Sequence, residues 1–329
     1  MDTQLLNEVI ACLPKGKTHF RYFKGAFASR LLSILLPRHS EIKDIKQTRF
    51  ASLLAHPSVK TVLAGSGDGT LRRRDLSNVW QEPSLPFLLT VSRWGANSDR
   101  GWHQTSRFGE NLVLQLNLPA EHQRLYRQYI DKTGNSLNGH SCHPVQQPGA
   151  KNFRETLAWS RIDFDFETNE ALIEEIQSDA ARDVFDLAKD FRNCGCRYCQ
   201  QKLNYVRWFD AYRRIWAEAM LCATIEFIHF ELGIERVFLH TARSGWQVKN
   251  MDESWQPPRS LYSDLPKKFC FKQTWAAPEF LLQTRCYQRL IRKQPDIDFY
   301  QLSLNELNQN AIRQPRIKTR MKGGITCHA

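Results

Sequence analysis

No apolar run in this 329-residue sequence approaches the roughly 18 to 20 residues that cross a bilayer. The longest candidates, LLSILLP and AMLCATIEFIHF, are short and interrupted, so no helical membrane span is expected. The opening MDTQLLNEVIACLPKGK lacks the basic start, apolar centre and small-residue cleavage site of a secretory signal, and the expected location is the cytoplasm. Internal repeats and low-complexity segments are absent too. So are several chemical signatures. The Gly-Lys-Thr of PKGKTHF has Ala11 where a phosphate-binding loop needs its first glycine. AGSGDGT is followed by LRRRDLSNVWQEP rather than a helix-forming run, so it reads as a tight hairpin turn and not a dinucleotide fingerprint. No histidines stand at zinc-protease spacing and no serine sits in a G-x-S-x-G elbow.

What is present is a globular composition, 42% hydrophobic, carrying a formal charge of +12. The basic residues gather towards the ends, in RLLSILLPRHSEIKDIKQTR, TLRRRD and RQPRIKTRMKGG. Such a surface favours polyanions: nucleic acid, a phosphorylated cofactor or a ribosome. Trp94, Trp102 and Trp246 could stack on bases. Solubility with a loose basic tail is the plain alternative, and the segment from Gln314 is expected to be a mobile arm. Nine cysteines in a cytoplasmic chain point to thiols or metal rather than disulfides. Cys194, Cys196 and Cys199 fall within six residues, a spacing suited to a structural zinc ion. A fourth ligand could come from GHSCHP, where His140, Cys142 and His143 crowd one loop, and Cys142 is the one expected to join the three. Three unligated thiols in a loop between helices is the other reading.

The first 60 residues show helical periodicity punctuated by Pro14, Pro37 and Pro57. A short strand and glycine-rich turn follow in VKTVLAGSGDGTLRRR, then strands in PFLLTVSRW and ENLVLQLNL, and a helix from Pro119. LAWSRIDFDF-ETNE-ALIEEIQSD reads as a β-hairpin, its first strand half-buried because Ile162, Phe164 and Phe166 alternate with Arg161, Asp163 and Asp165. Helices DAARDVFDLAKDF and VRWFDAYRRIWAEAMLCATIEFIHFELG flank the cysteine cluster. Gly233 ends the second, and the strand ERVFLHTA begins at once. The expected fold is α+β, a mixed sheet layered with helices. Its regions are a helical part over 1–60, a core over 61–290 with an insertion at 180–205, and a C-terminal extension over 291–329. The strands ALIEEIQSD and ERVFLHTA are expected side by side, with the helix at 212–232 packed across them.

Alternation in EEIQSD places Glu175, Gln177 and Asp179 on one face of the strand end, and Glu174, Ile176 and Ser178 on the other. His240, at the end of the next strand, could serve as a base. The order hairpin, long helix ending FELGIERVFLHT, then SLYSDLPKKFCF resembles the core of GNAT-type N-acyltransferases over roughly residues 155 to 285. IEEIQSD followed by helix, glycine, strand and threonine is also similar to uncharacterised segments of large phage-encoded polyvalent proteins. The GNAT resemblance implies an acyl-CoA cofactor lying along a strand, its pyrophosphate at a helix N-terminus, and a split V between strands. It implies Tyr262 as the acid that protonates the departing thiolate, with Glu175 and His240 beside it. Gln177 and Asp179 would line the cofactor pocket. The family's glycine-bearing pyrophosphate loop is missing, and Arg213 and Arg214 would substitute for it. The competing expectation is a zinc-stapled nucleic-acid-binding or accessory protein.

Overall fold

The computed structural model of the chain describes residues 1–14, 18–96, 103–133, 135–138, 142–150, 152–194, 196–251 and 260–313. The strands are β1 (Thr18–Tyr22), β2 (His39–Glu41), β3 (Thr70–Arg72), β4 (Leu85–Ala96), β5 (Gly109–Asn117), β6 (Thr156–Asp165), β7 (Glu170–Gln177), β8 (Arg236–His240), β9 (Lys272–Thr274) and β10 (Phe299–Ser303). Helices of eight residues or more are α1 (Thr3–Cys12), α2 (Phe27–Leu35), α3 (Pro57–Ala64), α4 (Ala120–Tyr129), α5 (Asp179–Cys194), α6 (Arg197–Arg213), α7 (Trp216–Phe230), α8 (Ala242–Lys249), α9 (Arg285–Lys293) and α10 (Glu306–Arg313).

Eight strands form one mixed sheet in the order β1-β4-β5-β6-β7-β8-β10-β9, while β2 and β3 make a separate pair. The fold is α+β. The pairing of β7 with β8 is parallel, and the other pairings of the large sheet are antiparallel. The β6–β7 hairpin turns where expected, with Asn169 at φ 55, a left-handed conformation that asparagine tolerates. Gly233 at φ 69 closes the end of α7, and Ile234 N–H returns to the Ile228 carbonyl.

One sheet face carries Leu112, Leu114, Ile162, Ala171, Ile173, Val237 and Leu239, packed in one core with α2, α5, α6 and α7. Helix α7 is apolar nearly all round because it lies between this face and α2, so most of its sides are buried. On the opposite face Leu172, Phe238 and Phe299 pack with Val248 of α8 and Tyr287 of α9. The two helices that follow the parallel strands therefore leave on opposite sides: α5 after β7 onto the first face, α8 after β8 onto the second.

Several local expectations are corrected. The region before residue 60 is not all helical, because Thr18–Tyr22 is a strand that joins the large sheet beside β4. VKTVLA belongs to helix α3, begun by Pro57 in its first turn, and only Thr70–Arg72 is extended. The glycine-rich stretch joins that helix to β3 and is not a hairpin turn, since β3 pairs with the distant β2. The long helix expected over 206–233 is two helices, α6 and α7, parted at Arg214 and Ile215. No glycine or proline marks the break; Ile215 is buried there in tertiary packing, a signal that periodicity does not carry.

Candidate active site at the parting of two parallel strands

Pairing between β7 and β8 runs from Glu170–Arg236 to Ile173–Leu239 and stops, although β7 continues to Gln177. The register of β7 against β6 slips at this point. Glu175 faces Arg161 and Ile173 faces Ile162, so Glu174 is the extra residue of a β-bulge. The bulge overturns the expected alternation. Glu174 joins Glu175 on the second sheet face, where Arg161 of β6 and His240 of β8 also lie.

Where two strands part, their facing backbone groups need other partners. Here they come from the segments that follow β8. Lys249 Nζ donates to the Glu174 carbonyl at 2.6 Å, and the Tyr262 hydroxyl accepts from Ile176 N–H at 3.2 Å. The Glu174 carboxylate is fully buried. It accepts from Ser106 N–H at 2.9 Å and Ser106 Oγ at 2.8 Å, with Lys249 Nζ at 3.8 Å. His240 Nε2 lies 2.9 Å from Ser106 Oγ and 3.3 Å from Glu174 Oε2, while its Nδ1 meets Ser244 Oγ at 3.1 Å. Arg161, also buried, pairs with Glu175 at 2.7 Å and donates to the carbonyls of His103 and Gln104.

The electrostatics follow from burial and charge. Burial alone would raise the Glu174 carboxyl, but the His240 hydrogen bond and the Lys249 charge outweigh it and hold the group below the usual carboxylate range. Burial pushes the Lys249 ammonium down to about 8, with Arg161 adding to the shift and Glu174 and Glu175 opposing it. Burial also lowers His240, so its imidazole is neutral near pH 7. Burial raises the Tyr262 hydroxyl, which keeps its proton. The Ser106–His240–Glu174 contact is not a nucleophilic relay. That chemistry needs serine and acid on opposite ring nitrogens, whereas both meet Nε2 here.

The sequence-derived residues divide clearly. Glu175, His240 and Tyr262 are all brought to the parting. Gln177 donates to Asp179 at 2.8 Å, and Asp179 opens α5 directly after β7, held by His143 at 2.5 Å and Arg182 at 2.6 Å. The His143 hydrogen bond to Asp179 raises that imidazole above its ordinary value. Arg213 and Arg214 are not at this site. Both pair with Asp210 at the end of α6, where Tyr212 packs on Phe87 of β4. At about 4.8 Å per strand that is roughly 14 Å across the sheet from β7. The helix start that adjoins β7 belongs to α5.

Sequence reasoning missed Arg161, Ser106, Glu174 and Lys249 as members of the site. Alternation puts Arg161 and Asp163 on the solvent-facing side of their strand, yet both are buried beneath covering loops, and Asp163 pairs with Arg107 at 2.7 Å. Lys249 has one faint signal, its place directly after buried Val248 on a short helix.

A second cluster lies at the turn between α5 and α6. The sulfurs of Cys194, Cys196 and Cys199 all fall within 4.8 Å of one another, close enough to hold a metal ion. Cys196 caps α6, its Sγ accepting from Cys199 N–H at 3.4 Å; this bond, with those from the neighbouring thiols, brings its thiol down to about 7. Cys142 does not join them. Its neighbour His143 is bonded to Asp179 at the first residue of α5, whereas Cys194 is the last, about 22 Å away along the helix. His140 lies outside the described residues.

Comparison with protein-family models, with curated proteins and with solved structures finds no match for this chain.

Proposed function

We propose that the chain is a divergent GNAT-like enzyme that transfers an acyl group from acyl-CoA, with the coenzyme seated where β7 and β8 part. The observation that carries this reading is the parting itself. Two adjacent parallel strands send their following helices to opposite faces, and ligands of layered sheets bind in the crevice such a switch creates. The starts of α5 and α8 lie at this end, beside a buried group of titratable side chains with shifted proton affinities. Glu175 is the carboxylate with partial exposure and acts as base towards the acceptor amine; Tyr262 retains its proton and serves as acid towards the leaving thiolate. His240 is wholly buried and positions Glu174 and Ser106 rather than touching substrate. Gln177 and Asp179 line the approach. An amide-bearing coenzyme arm would replace Lys249 and Tyr262 at the Glu174 carbonyl and Ile176 N–H.

Zinc at Cys194, Cys196 and Cys199 is the second part of the proposal. Three thiolates supply three of the four ligands that structural zinc takes, and the ion would staple the α5–α6 turn.

Calorimetric titration with acetyl-CoA tests the enzymatic reading. Saturable binding that Gln177→Ala weakens is expected, whereas Glu175→Ala should bind acetyl-CoA as the wild type does and lose turnover with an amine acceptor. Absence of binding to the folded wild-type protein would overturn it.

A further inference from the structure

We infer that the outer face of α9, together with Trp275, is a binding surface for single-stranded nucleic acid. Helix α9, RCYQRLIRK, buries Tyr287 and packs Leu290 and Ile291 against the second sheet face. Its solvent side carries Arg285, Arg289, Arg292 and Lys293, all exposed. Among the described residues no carboxylate stands within ion-pair distance of these four, whereas most exposed arginines of α5 and α6 that pair do so within one helical turn. Cations in the last turn of a helix favour its dipole, which accounts for Arg292 and Lys293. The first turn holds no acid and begins with Arg285, where a positive charge opposes the dipole, so helix stability does not account for the stripe.

The stripe borders an aromatic platform. Trp275 is 67% exposed, the most exposed large apolar side chain among the described residues. It shares a groove of about 400 Å³ with Leu282, Tyr287, Ile291, Arg292 and Ile297. Arg285 and Arg292 are seven residues apart, about 10 Å along the axis, a span that meets two or three successive phosphates. Cations in line beside a free indole face are what a single strand offers partners for: phosphates along one edge and bases able to stack. The basic run singled out in the sequence is less available. Arg72 is paired with Asp68, and Arg73 donates to the Leu36 carbonyl at 2.9 Å. Trp94 donates to the His103 carbonyl at 2.7 Å and lies against Arg161, and Trp246 is half-buried; Trp102 and the segment from Gln314 lie outside the described residues.

The test is fluorescence anisotropy of a labelled oligothymidine, about 20 nucleotides long, with the full chain, between roughly 50 and 200 mM NaCl. The Arg285→Gln/Arg289→Gln/Arg292→Gln variant should lower the slope of log affinity against log salt by about 2, at roughly 0.7 for each phosphate no longer neutralised. Trp275→Ala should weaken binding about tenfold and leave the slope unchanged. Circular dichroism melts confirm that these surface variants are folded. An unchanged slope in the triple variant places binding elsewhere and overturns the inference. Tighter binding to a duplex of the same length, or indifference to Trp275→Ala, also overturns it in favour of a general polyanion surface.

Discussion

The two faces of the eight-stranded sheet are built on different principles. On the first, β5 to β8 present mainly leucine, isoleucine, valine and alanine to four helices, and apolar burial is the main source of stability. On the second, the same strands present Arg161, Asp163, Glu174, Glu175 and His240 among Leu172 and Phe238, and nearly all are buried. A sheet face that buries charge must satisfy each group individually, and here each charge meets an opposite charge or several hydrogen bonds. The apolar face tolerates approximate packing; the polar face depends on particular partners. That difference makes the second face the place to look for chemistry.

The contrast can be broken most forcefully at Glu174. Glu174→Ala should cost about 3–5 kcal/mol in urea denaturation, because it strands the buried Lys249 ammonium and removes the acceptor of Ser106. A loss below about 1 kcal/mol would show that the cluster contributes little. Ile173→Ala, its neighbour on the apolar face, should cost about 2–4 kcal/mol by leaving a cavity. The two faces should then separate in pH. The Glu174 carboxyl lies below its ordinary 4.5 in the fold, so its stabilisation is present above pH 4.5 and lost as pH falls through the folded value. Ile173→Ala should track the wild-type acid limb in parallel, while Glu174→Gln should flatten it.

Tyr262→Phe should cost about 1–3 kcal/mol by leaving the Ile176 N–H without its acceptor. His143→Asn should cost less, because the ring is partly exposed, and its effect has the opposite pH sense. The folded imidazole is raised above 6.5, so its contribution is full below that pH and fades as pH rises through the folded value. Equilibrium melts at about pH 5.5 and 8.5 measure this: wild type and variant should converge at the higher pH. The smallest effect belongs to Cys142→Ser, within about 0.5 kcal/mol and with bound metal unchanged, whereas Cys196→Ser should lower metal content in elemental analysis.

The apolar face is legible in the sequence. Alternation locates β6 and β7, Gly233 marks the passage from α7 to β8, and the side-by-side placement of β7 and β8 follows from helix–strand order. The polar face is legible only in part. Glu175 and His240 stand out by their positions at strand ends, and Tyr262 through the GNAT resemblance. Simple alternation puts Glu174 on the wrong face, because a bulge depends on the register of two strands and not on the residues of one. Arg161 and Asp163 look solvent-facing, since alternation cannot tell a face open to water from one covered by loops. Spacing identifies the cysteine cluster, yet it offers no measure of how far Cys142 lies from it in space; the length of α5 separates them.

The parallel pairing of β7 with β8 also has a consequence for how the chain acquires its structure. Hairpin β6–β7 closes over a few residues, but Glu170 meets Arg236 only after a crossover through three helices. Contacts so distant in sequence carry a large loop-closure cost and form late, after local contacts have offset their own. The fork between β7 and β8 is therefore expected to assemble last, once α5, α6 and α7 are in place, and Lys249 and Tyr262 arrive after that. During synthesis the hairpin emerges from the ribosome well before its parallel neighbour does. Until β8 docks, one edge of β7 stays open to pairing with other chains, so the strand that parts from β8 is also where aggregation of incomplete chains would begin.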